Sequence, residues 1–163
     1  MIVVELTGIP GSGKTTLFHH LSSALKAQGH TVTDPENLIL AYYNLPRSKS
    51  HLLHTLMIDL IVGSWALRAV TDSPIRKLFR LGARNIWRSP NSGLIRANII
   101  RNFIKKIGIQ CFISQQRRGP EKTVVIWDEG MVHTHQLIFT HAQRRPDLTT
   151  LQNYFDILPI PDL

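Results

Sequence analysis

Gly8, Gly11, Gly13, Lys14, Thr15 and Thr16 lie close together near the start of the chain, and their order suits one kind of chemistry. A triphosphate is dense negative charge, and successive backbone N–H groups can close on it only where side chains are absent. Gly8, Gly11 and Gly13 supply that freedom, with Ser12 between the last two. Lys14 sets a point charge against the outer phosphates, and the Thr15 hydroxyl is a hard oxygen ligand for magnesium. Thr16 follows at the helix start, where its N–H and hydroxyl reach an α-phosphate. The expected cofactors are ATP and Mg2+, with Gly8, Gly11, Ser12, Gly13, Lys14, Thr15 and Thr16 as the binding residues.

Such a loop needs an acid from a neighbouring strand to complete it. Val124, Val125, Ile126 and Trp127 form an apolar run that ends in Asp128 and Glu129. Asp128 is expected to hold the magnesium through water, alongside Thr15. Glu129 is expected to activate or orient an acceptor. The plainer alternative for both is a solvated acidic pair at a strand end. With Lys14, these two acids are the candidate catalytic residues.

The elements around these residues follow from periodicity. Residues 2–6 are a short β-branched run that reads as a buried strand, with the glycine-rich turn directly after it. Leu17, Leu21 and Leu25 recur at four-residue spacing beside Phe18, which predicts an amphipathic helix from Lys14, with Gly29 at its C-terminal cap. Residues 30–34 read as a second strand, and strand, helix and strand in that order predict a parallel sheet. Residues 36–122 offer no convincing strand. Helices are predicted over 52–70, 75–81 and 94–116, with breakers at Pro74 and over 89–93, and Gly108 is a weak point in the last of them. Residues 123–127 read as a third strand. Residues 137–139 and 151–158 suggest helical or irregular segments.

Length and composition bound the rest. The chain has 163 residues, 43% of them hydrophobic, which suffices for one domain with a core and not for two. Charged residues at 18% argue against disorder. A net charge of +8 implies anionic partners without choosing among nucleotide, phosphorylated substrate, nucleic acid and acidic lipid. The single Cys111 forbids an internal disulfide and fits a reducing compartment. No signal peptide follows Met1, so a cytoplasmic location is expected. Residues 52–70 are long and apolar enough to resemble a spanning helix. Asp59 and His54 near the middle make spanning costly, so a buried core helix is expected and no membrane span.

Residues 68–122 concentrate the positive charge, with Asp72 and Glu121 as the only acids. A solvated face, a clamp for an acceptor phosphate, or a patch for nucleic acid or acidic lipid would each explain it. Arg96, Arg101, Arg117 and Arg118 are the candidate clamps, and spacing singles out none. Asp34 meets the acceptor or only begins the Asp-Pro turn. His133, His135 and His141 lack the further ligands of a tetrahedral metal site. Trp65, Trp87 and Trp127 read as core or loop-anchoring residues.

The loop at 8–16, a basic helical stretch and then the run at 124–130 resemble a P-loop kinase of the nucleotide-kinase type. The likeness is to small proteins labelled AAA-family ATPases or thymidylate-kinase-like. Two short motifs carry it. The resemblance implies an α/β fold: a P-loop three-layer parallel sheet of order 2-3-1-4-5, with a helical insertion at 36–122 between strands two and three. It implies transfer of the γ-phosphoryl group of ATP to a small-molecule or nucleotide acceptor under that insertion. In that family a fourth strand, an arginine-bearing lid and a fifth strand follow the point where these 163 residues end. The expectation is therefore a single P-loop domain over 1–163, incomplete, with residues 159–163 approaching a fourth strand and a partner or longer frame completing the sheet.

Two other functions compete with a kinase: an NTPase acting as a conformational switch, with Glu129 as the base for water, and a nucleic-acid-associated P-loop protein using the basic helices. A GTPase is disfavoured by the absence of an Asn-Lys-x-Asp motif, and an ABC ATPase by the absence of Leu-Ser-Gly-Gly.

Overall fold

The computed structural model describes residues 1–9, 11–48, 50–71, 73–116, 122–139 and 148–158. Three strands, β1 (Ile2–Leu6), β2 (Thr31–Thr33) and β3 (Thr123–Asp128), form a parallel sheet in the order β1-β3-β2. Between and after them run α1 (Lys14–Ala27), α2 (Pro35–Tyr42), α3 (His51–Ala69), α4 (Ser73–Trp87), α5 (Gly93–Gln116), α6 (Met131–Phe139) and α7 (Leu148–Ile157).

The expected three-layer sheet with a helical insertion is overturned. Helices take up 69% of the described residues, and the sheet among them is three short strands, so the fold is only weakly α/β. The physical reason lies in where the apolar area is buried. The main core is helical: α3 contributes Ile58, Val62, Trp65 and Ala66 at helical spacing, and α5 contributes Phe103, Ile107, Phe112 and Ile113. Each fully buried aliphatic or aromatic chain stabilises by about 1.5–3 kcal/mol, so these two helices outweigh the sheet. β3, apolar from Val124 to Trp127, joins both cores. Val125 and Trp127 face the helical core, while Val124 and Ile126 meet Leu6 and the Phe18, Leu21 and Leu25 stripe of α1.

Four other expectations change. Residues 34–35 are no mere turn: Asp34 accepts a 2.8 Å hydrogen bond from the Asn37 N–H, and Pro35 opens α2 at the position where its missing N–H costs nothing. The short helix expected over 75–81 is the fifteen-residue α4. α3 is not fully buried: it is long and apolar enough to cross a membrane by length and composition, yet only 22% of that apolar window is buried, and Leu53, Leu56, Leu60 and Leu67 face outward. Its Asp59 is tied to α5, accepting from Arg101 Nε at 2.8 Å and facing Lys105 Nζ at 3.9 Å. Finally, Trp65 and Trp127 are buried but Trp87 is 71% exposed. Residues 159–163, expected to approach a fourth strand, lie outside the described residues.

Candidate functional site

β1 ends at Leu6, and the chain turns through Gly8, Gly11 and Gly13 into α1. Gly13 caps α1 at φ 82°, a left-handed conformation that costs an L-residue about 1–2 kcal/mol. Gly8 has a second reason to be glycine: a Cβ there would lie 2.7 Å from Ser12 Oγ. The turn is closed by the Ser12 N–H donating to the Ile9 carbonyl at 3.2 Å. The first helical bond runs from the Leu17 N–H to the Gly13 carbonyl, and no side chain caps the helix. The N–H groups of Lys14, Thr15 and Thr16 therefore lack intrahelical partners, at the positive end of the helix dipole and with no acid in the first turn.

Lys14 arches back over this loop. Its ammonium donates to the Gly8 carbonyl at 2.9 Å and the Ile9 carbonyl at 3.2 Å, and pairs with Glu129 Oε1 at 3.4 Å. Its side chain is only 11% exposed, so this is a held cation and not a waving surface lysine. Glu129 sits in the left-handed region at φ 55°, and its N–H donates to the Leu6 carbonyl at 3.1 Å. That turn brings the end of β3 against the start of the loop, with Leu6 and Asp128 in register. A non-glycine residue held there stores strain of the kind that collects at functional sites.

Thr15, Asp128 and Glu129 share one cleft of about 580 Å³ with Asp34, Arg47, His54, Lys105 and Lys106. The cleft lies between the carboxyl end of β3 and the helices α2, α3 and α5. Lys106 is among the cleft residues that the sequence does not single out. Burial pulls its ammonium below the ordinary lysine value, while the charges of Glu129, Glu5 and Asp128 work against that. The signal was there to see, as Lys105 and Lys106 interrupt an apolar run between Ile104 and Ile107. Glu5 was missed as well. Burial raises its pKa, opposed by the backbone N–H groups at the start of α6, of which His133 donates at 2.9 Å. Gly130 makes room for it: a Cβ there would come within 2.6 Å of the Glu5 carboxyl.

On the other wall Glu36 accepts from Lys105 at 2.7 Å and lies 3.4 Å from His54 Nε2. Burial alone would raise the Glu36 pKa, but Lys105 and His54 together hold it below the ordinary carboxylate value. A carboxyl whose pKa falls on folding contributes stability that is present above its unfolded pKa and lost as pH falls through the folded one. The wild-type chain should therefore lose stability between about pH 5 and about pH 3 more steeply than Glu36→Gln. Chemical denaturation across that range measures the difference. The side chain is 40% exposed, so the effect is modest.

The candidate arginine clamps fall elsewhere. Arg96 donates to the carbonyls of Asn91 and Trp87, and Arg101 to Asp59, so both serve helix packing. Arg117 and Arg118 lie outside the described residues. The cations on the cleft are Arg47, Lys105 and Lys106 instead. Asp34 caps α2 and also lines the cleft. His133 is buried, 3.8 Å from Glu129, and the His135 ring lies against Phe155. His141 is outside the described residues. Among the described residues no group of three or more histidine, cysteine or acidic side chains is placed to hold a metal alone. Magnesium asks for less: it retains several waters and takes one or two protein oxygens beside those of the phosphates. Thr15 and Asp128, on the same cleft, fit that donor set. No family model, curated protein or solved structure matches the chain.

Proposed function

We propose that this protein binds ATP with magnesium on the 8–16 loop and transfers the γ-phosphoryl group to a small molecule or nucleotide held in the adjoining cleft. The observation that carries the reading is the convergence of Lys14, Thr15, Asp128 and Glu129 on one edge of that cleft. Lys14 and the free N–H groups of α1 hold the outer phosphates. Thr15 and Asp128 would hold the magnesium, which when bound would supply positive charge beside the phosphate oxygens. Glu129 orients the acceptor hydroxyl and takes its proton. The acceptor oxygen bonds to the γ-phosphorus as the bond to the β–γ bridging oxygen breaks, and ADP leaves. Lys106, from α5, adds positive charge on the acceptor side, where negative charge gathers as the group moves.

The test is a pool of candidate acceptors incubated with ATP and magnesium, read by mass for a phosphate gained. Asp128→Asn should raise the magnesium concentration needed for half-maximal nucleotide binding by about 10- to 100-fold with folding unchanged. If the magnesium requirement did not move, Asp128 would have no part in the site. A second reading, hydrolysis by a conformational switch, draws on Glu129 being strained and tied to Lys14. It predicts ADP release without any acceptor.

A further inference from the structure

Outside the cleft, the face of α4 turned away from the core carries Arg76, Lys77, Arg80, Arg84 and Arg88, all exposed and recurring at helical spacing. The opposite face is apolar and packed: Ile75, Leu78 and Ile86 are buried. Residues 73–116, which make α4, the turn and α5, contain nine lysines and arginines and no acid. The stripe therefore has no acidic neighbour within its own hairpin to neutralise it.

The tip of that hairpin is apolar as well as basic. Trp87 is 71% exposed, and Leu94 and Ile95 at the start of α5 are 87% and 52% exposed. Arg96 also ties the two sides of the tip together. Arg96 donates to the carbonyls of Asn91 at 2.9 Å and Trp87 at 3.1 Å, and its guanidinium stands 5.8 Å from the centre of the Trp87 ring. Exposed tryptophan and aliphatic side chains held beside a line of cations match a surface that is anionic at the headgroup and apolar beneath it.

We propose that the α4–α5 hairpin docks on an anionic lipid surface, with Trp87, Leu94 and Ile95 entering the headgroup layer and the α4 cations lying along it. A nucleic acid would satisfy the cations but give Leu94 and Ile95 nothing to bury against, so lipid is the better fit.

The experiment is co-sedimentation of the full chain with phosphatidylcholine vesicles, with and without phosphatidylserine. Binding should require phosphatidylserine and weaken by at least about tenfold as salt rises from about 0.1 M to about 0.5 M. Arg80→Ala with Arg84→Ala should weaken it roughly thirtyfold. Trp87→Ser with Leu94→Ser should weaken it roughly tenfold at unchanged charge. All four side chains are exposed, so melting temperature confirms that each variant is folded. Failure to bind phosphatidylserine vesicles would overturn the proposal. So would binding indifferent to Trp87 and Leu94, or tighter binding to a DNA or RNA duplex at equal salt, which would make the stripe a nucleic-acid surface. None of these readouts depends on ATP.

Discussion

Lys14→Ala should reduce affinity for magnesium-ATP by at least about a hundredfold. The ammonium is held by two loop carbonyls and Glu129 in a side chain that is 11% exposed, so it is positioned before any phosphate arrives. Removing one partner of a desolvated, hydrogen-bonded charge pair costs about 2–5 kcal/mol, which spans roughly thirty- to several-thousandfold in affinity. The upper part of that range is favoured, because the loop loses its own staple as well. Without Lys14 the carbonyls of Gly8 and Ile9 have no ammonium to draw them inward. Titration calorimetry with magnesium-ATP measures the loss, and circular dichroism shows whether α1 persists. Lys14→Arg separates charge from shape: a broader guanidinium cannot meet both carbonyls from the same place, so it should recover little of the affinity. If Lys14→Ala bound ATP as the wild type does, the loop would not be a phosphate site.

The site was more legible than the fold. Glycine, lysine and threonine spacing defines the loop locally, and every residue concerned lies between Gly8 and Thr16. The structure keeps that locality, since the turn closes on itself through Ser12 and Ile9 and through Lys14. Asp128 is singled out by the sequence because an apolar run ending in an acid is also a local pattern, and the structure places it on the cleft beside Thr15. Lys106 shows in the sequence only as a charge inside an apolar run, and Glu5 not at all, because its meaning depends on a partner far along the chain: Glu5 meets the start of α6, 128 residues away. The balance of the fold was misread for a similar reason. Short β-branched runs announce strands strongly, but how far a sheet extends depends on what covers it. Here α3 and α5 pack chiefly against each other, and among the described residues the sheet stays at three strands. Helix α2 is not predicted from the sequence although Asp34 and Pro35 supply a cap and a first-turn proline, because the same Asp-Pro pair equally begins a turn.

Gly108 shows the same limit in one residue and supports the second large effect. In sequence it is a flaw in a helix, since glycine costs about 1 kcal/mol against alanine in a helix interior. Propensity alone therefore predicts that Gly108→Ala stabilises. The structure reverses the sign. A Cβ at 108 would lie 1.9 Å from the Val62 carbonyl oxygen and 3.1 Å from Val62 Cα, and backbone cannot swing aside as a side chain can. Helices α3 and α5, the most extensive helix pairing among the described residues, would have to separate along the seam where Val62, Ile107 and Phe112 are buried. Overpacking of this kind costs about 1–3 kcal/mol, and a clash this short belongs at the top of that range. Set against the gain in propensity, the net loss is about 2 kcal/mol, or roughly 4–8 °C in Tm for a chain of this size. Gly63→Ala on α3 is the matched control, because a Cβ there meets nothing within 4 Å. It should be neutral or stabilising by up to about 1 kcal/mol. Thermal denaturation of both variants decides the matter: equal melting temperatures would mean that α3 and α5 do not cross at Gly108.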